Sequence, residues 1–135
     1  MRELKIRALL SNLPQALAFV DGELEKLDCP LRTQTQIDIA VEEIFVNIVS
    51  YAYAPGEGDA LLRVEAAPPG CVSITLVDSG MPYNPLAKPD PDVTLPARDR
   101  QIGGLGIYMV KKSMDDLKYE YRDRQNMLTL VKKIT

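Results

Sequence analysis

Ile37-Asp-Ile-Ala-Val-Glu-Glu-Ile-Phe-Val-Asn-Ile-Val-Ser-Tyr-Ala-Tyr53 is the stretch on which the fold turns. Ile37, Val41, Ile44 and Ile48 recur at the spacing of one helix face. Ile39, Phe45, Val46 and Val49 make much of the remaining circumference apolar, so the pattern predicts a helix inside a domain. On that helix Glu43 and Asn47 stand four residues apart and stack on the same face. A carboxylate in apolar surroundings is costly unless something pairs with it. A base beside an amide oxygen suits an attacking hydroxyl next to a hydrated metal ion. The same pair also fits a solvent edge, and the rest of the chain decides between the two.

With 135 residues, 46% hydrophobic and 26% charged, the chain is long enough for one domain, residues 1–135, with a real core. A net charge of -3 argues against direct nucleic-acid binding as the main function. No run approaches the ~18 apolar residues of a membrane span. The N-terminal MRELKIRALL interleaves charge with apolar residues, unlike a signal peptide. Cys29 and Cys71 are isolated and read as small core residues in a reducing, cytoplasmic compartment. The chain contains no histidine. That removes Ser-His-Asp and Cys-His catalysis, the usual zinc sites and a histidine phosphoacceptor within these residues.

In chain order, alternation of Leu4, Ile6 and Ala8 with Glu3, Lys5 and Arg7 predicts an opening strand. Ser11 or Asn12 caps a helix reaching about Leu27, and Cys29-Pro30 breaks it. The central helix follows. Ala60 to Ala67 and Cys71 to Asp78 read as strands joined by Pro68-Pro69-Gly70. Met81 to Gln101, with Pro82, Pro85, Pro89, Pro91 and Pro96, has no regular period and reads as a functional or mobile loop. Gly103-Gly-Leu-Gly106 opens a helix to about Met114, and strands at 117–122 and 127–134 close the chain. The order β-α-α-β-β-α-β-β predicts an α+β two-layer sandwich, a mostly antiparallel sheet covered on one face by helices.

Two further motifs carry chemistry. Asp78-Ser-Gly80 ends an apolar strand, where an Asp can accept from an exocyclic amine and a glycine lets backbone approach a flat ring. Gly103-Gly-Leu-Gly106 precedes a helix, whose N-terminus offers free N–H groups to phosphate. Each alone fits an ordinary turn or cap. In this order Glu43-x-x-x-Asn47, Asp78-x-Gly80 and Gly104-x-Gly106 resemble the N, G1 and G2 boxes of the GHKL ATPase/kinase superfamily with its Bergerat ATP-binding fold. The proline-rich stretch, about 81–102, stands where that superfamily has its ATP lid. The short length and Ile102-Gly-Gly-Leu-Gly-Ile-Tyr-Met-Val-Lys-Lys112 resemble the anti-sigma factor serine kinases of the RsbW/SpoIIAB type.

The resemblance implies roles. Asn47 would hold Mg²⁺ and Glu43 would act as general base on a serine hydroxyl. Asp78 would bind the adenine amine of ATP or ADP, and Gly80 would let the ring sit against the backbone. Gly103, Gly104 and Gly106 would bring N–H groups to the phosphates. Thr129 would complete the adenine site through a water, and Lys88, Arg98 and Arg100 are candidates for a phosphate contact. The implied partners are a STAS-domain anti-sigma factor antagonist, a sigma factor and a second copy in a homodimer, with no membrane. Two other readings stay open: a nucleotide-binding module that captures a partner with little transfer, and a kinase in a partner-switching pathway that does not end on a sigma factor. The chain departs from the family at Gln125-Asn126-Met127, where many members carry a glycine.

Overall fold

The computed structural model describes residues 1–87 and 105–135. Five strands form one sheet: β1 (Arg2–Arg7), β2 (Asp59–Ala67), β3 (Cys71–Asp78), β4 (Asp116–Arg122) and β5 (Gln125–Lys133), in the order β1-β2-β3-β5-β4. Every neighbouring pair is antiparallel. Helices α1 (Leu13–Lys26), α2 (Leu31–Asn47) and α3 (Leu105–Ser113) pack on one face. The expected two-layer sandwich is therefore the fold, and the element order is the one read from the sequence.

The turns follow from local chemistry. Gly70 takes φ 67° in the β2–β3 hairpin, a left-handed conformation that glycine adopts without steric cost. Asp123 and Arg124 take φ 55° and 62° between β4 and β5, the two consecutive positive values of a tight hairpin turn. Asn12 precedes α1 but does not cap it with its side chain. Its amide donates instead to the Arg7 carbonyl at 3.0 Å, tying the start of α1 to the end of β1.

Alternation along the strands sends one set of side chains under the helices. Leu62, Ile74, Leu76 and Leu130 from the sheet meet Val20 and Leu24 of α1 and Ile37, Val41 and Phe45 of α2. All nine are buried, and each such side chain stabilises the fold by about 1.5–3 kcal/mol. The other sheet face carries surface ion pairs such as Arg63–Glu3 at 2.8 Å, which contribute little.

Two expectations need correction. The central helix is not wrapped in protein on all sides: Ile39 is 57% exposed, because α2 lies on a single sheet layer and its far side meets solvent. Cys29 and Cys71 are free, half-buried thiols: Cys29 packs against the core from its edge, and Cys71 is not part of it. Among the described residues no helix is long and apolar enough to cross a membrane.

Candidate functional site

The end of α2 is the hinge of the site. The sequence places the helix end at Tyr53, and the chain does turn there, but its last turn, Ile48–Ala52, is a wide π-turn. The turn leaves the Ala52 carbonyl free of the α-helical ladder, and it accepts from Met81 N–H at 3.1 Å. Tyr53 then bridges two strand ends: its hydroxyl donates to the Asp59 carbonyl and accepts from Ser79 N–H at 2.7 Å. Burial pushes the Tyr53 phenol up, which keeps it protonated for that donation. Gly80 is pressed so closely against Ala52 that a Cβ there would run into Ala52 backbone. A glycine at 80 is thus required by close approach.

Between this loop, α2 and β5 lies a cavity of about 420 Å³. Ile44, Ile48, Leu76 and Leu128 form its apolar wall, with Tyr83 and Tyr119 as aromatic surfaces. Asn47 and Asp78 both face into it. A mostly apolar cleft with a few convergent polar groups is the usual form of a small-molecule site. Asp78 is only 7% exposed. Its Oδ1 accepts from Gly80 N–H at 2.9 Å and from Asn126 Nδ2 at 3.0 Å. No group among the described residues donates to Oδ2.

The other predicted residues fall as follows. Glu43 is partly buried, and its carboxyl group packs against Gly106 at the start of α3, beside the cavity rather than in its wall. The Asn47 side chain has no hydrogen-bond partner among the described residues and is one turn further along α2. No cluster of three or more His, Cys, Asp or Glu side chains occurs among the described residues. A lone amide oxygen fits a Mg²⁺ that arrives largely coordinated by phosphate oxygens and water, rather than one caged by protein. Gly103, Gly104, Lys88, Arg98 and Arg100, and the part of the expected lid beyond Ala87, lie outside the described residues. The beginning of that segment is anchored: Pro85 is buried and Leu86 packs on the core.

Thr129 is not brought to the cavity. It sits opposite Thr75 in the β3–β5 ladder, and their hydroxyls lie 3.0 Å apart on the outer sheet face. Leu128 and Leu130 face the core, so period-two alternation sends Thr129 the other way. The residue opposite Asp78 is Asn126, buried at 6% exposure. The sequence marked this position only as a departure. Counting back by twos from Leu130 and Leu128 would have placed it on the inner face. Tyr119, whose hydroxyl donates to Asn126 Oδ1, was likewise missed; burial and then the charge of Asp78 push its phenol up.

Comparison with known proteins agrees with the fold. The chain matches the histidine kinase-like ATPase domain over residues 6–132. It is 31% identical over 99 residues to the serine/threonine-protein kinase BtrW of Bordetella bronchiseptica, covering 73% of this chain and 70% of that protein. In fold it is similar to the structure of the RsbU and RsbW domains of Rv1364c from Mycobacterium tuberculosis, with TM-score 0.69 and 15% identity. That likeness covers 99% of this chain and 33% of the other. The histidine kinase domain of the Erythrobacter litoralis EL346 blue-light activated histidine kinase is similar with TM-score 0.55 and 17% identity, over 78% of this chain and 46% of that one. The chain therefore spans from a third to under half of those solved chains. The chain belongs to the histidine kinase-like ATPase domain family.

Proposed function

We propose that the chain binds ATP with Mg²⁺ and transfers the γ-phosphoryl group to a serine hydroxyl of a small STAS-domain antagonist. In this reading it also sequesters a sigma factor in a partner-switching pathway. The observation that carries the nucleotide reading is the Oδ2 of Asp78, without a donor among the described residues, on an apolar cavity wall that also holds Asn47. That oxygen is open to the cavity, and an exocyclic amine entering there would donate to it. The apolar wall and the rings of Tyr83 and Tyr119 suit a flat base.

The roles divide as follows. Asn47 would supply one oxygen to the metal, which when bound neutralises charge on the phosphate oxygens. Glu43 would take the proton of the attacking serine hydroxyl as that oxygen bonds to phosphorus and the bond to the bridging oxygen of ADP breaks. Gly106, against Glu43, places the start of α3 and its free N–H groups beside the base. The 31% identity to a named serine/threonine kinase supports transfer to a hydroxyl. One observation favours a second reading, nucleotide-gated capture of a partner with little transfer: Glu43 is not in the cavity wall.

Incubation with radiolabelled ATP, Mg²⁺ and a STAS-domain antagonist encoded nearby separates the two. Label on the antagonist's serine supports the kinase. Binding of ATP and of the antagonist without label transfer would replace it with the capture module.

A further inference from the structure

We propose that Asn126 is a positioning residue that aims Asp78 at the base and thereby sets adenine selectivity. This rests on the reading of the cavity as an adenine site. The Asn126 amide spends its full hydrogen-bonding capacity on the cavity's polar edge. Nδ2 donates to Asp78 Oδ1 at 3.0 Å and to the Met81 carbonyl at 2.8 Å. Oδ1 accepts from Tyr83 N–H at 3.0 Å and from the Tyr119 hydroxyl. The orientation of the amide is unambiguous. Asp78 and the Met81 carbonyl can only accept, and Tyr83 N–H can only donate, so a flipped amide would break three contacts.

The arrangement has two consequences. First, Asp78 Oδ1 is saturated by Gly80 N–H and Asn126, which leaves Oδ2 as the one oxygen able to take a ligand donor. The carboxyl plane is thus fixed before any ligand arrives, and the ordering cost of binding is reduced. Second, the same amide holds both ends of the Met81–Tyr83 turn, whose three residues all line the cavity. One side chain therefore sets both the hydrogen-bonding edge of the site and the wall beside it. A glycine at 126 could supply neither contact.

The discriminating probe is purine riboside 5′-triphosphate, which keeps the purine, ribose and phosphates of ATP but lacks the 6-amino group. Affinities of both triphosphates with Mg²⁺ are measured by calorimetry on the wild type and Asn126→Ala, with folding checked by circular dichroism. The wild type should prefer ATP by about tenfold or more, the worth of a hydrogen bond to a charged group. In Asn126→Ala both nucleotides bind more weakly as the wall loosens, but ATP loses more, so the preference should fall to within about threefold. A merely structural role would weaken both nucleotides equally and overturn the proposal. So would an unchanged preference for ATP. Failure of the wild type to bind either nucleotide would overturn the adenine reading itself.

Should Asn126→Ala not fold, Asn126→Asp serves. Its new carboxyl would face Asp78, the Tyr119 hydroxyl and Tyr83 N–H, and a proton shared with Asp78 can stand in for the lost Nδ2 donor. Its preference for ATP should then fall as pH rises and that proton leaves, more steeply than the wild type's. A preference in Asn126→Asp as constant with pH as the wild type's would overturn the proposal.

Discussion

Asp38 on α2 and Asp21 on α1 face each other between the two helices. One oxygen of each, Asp21 Oδ1 and Asp38 Oδ1, is buried without a donor among the described residues. Two carboxylates in such a place cannot both ionise cheaply, and a single shared proton satisfies both. Burial, then the bond to Asp21 and its charge, push the Asp38 carboxyl from 3.8 up to about 8. The sign follows. Folding raises this carboxyl's affinity for its proton, so its contribution to stability is complete below about pH 4 and disappears as pH rises through about 8. Asp38 is only partly buried, and with screening by solvent the contribution is about 1–3 kcal/mol. Asp38→Asn supplies a permanent donor to Asp21 and removes one charge. It should raise stability at pH 8 by about 1–2 kcal/mol and flatten the decline between about pH 4 and 8. Urea unfolding across that range, wild type against variant, measures it. A variant whose stability falls with pH as steeply as the wild type's would refute the shared proton. So would one less stable than the wild type at pH 8.

Gly80→Ala should destabilise the fold by about 1–3 kcal/mol, read as a lower urea midpoint, because the atoms in the way belong to the Ala52 backbone and cannot rotate aside. Glu43→Ala should keep nucleotide affinity within a few-fold and cut phosphorylation by about 10² or more, the size of a general-base contribution. Equal transfer by wild type and variant would make Glu43 structural. Gly106→Ala should resemble Glu43→Ala in transfer, since a methyl there displaces the Glu43 carboxyl; a fully active variant would separate the two residues.

The fold was legible because its punctuation is local. Pro68-Pro-Gly70 and the alternation on either side can only make a hairpin, and Ile37, Val41, Ile44 and Ile48 can only be one helix face. Of the motif residues, Asp78 and Asn47 line one cavity, and Gly80 packs against Ala52, which lines it too. Thr129 failed because the motif was carried over without asking which way the strand points it. Leu128 and Leu130 answer that question. Ile39 failed because apolar character on a helix does not say how many layers cover it. Asn126 could not be weighed from sequence, since its value lies in four partners spread over β3, β4 and the loop after β3, brought together only by the sheet's order.

The central claim is that the cavity at Asp78 takes the adenine of ATP. Calorimetric titration of ATP with Mg²⁺ into the wild type and Asp78→Asn tests it most directly. The account predicts micromolar binding to the wild type, weakened by about 1–3 kcal/mol in the variant, because the substitution replaces a charged acceptor in a buried site. No binding by the wild type, or equal affinity in both proteins, would contradict it.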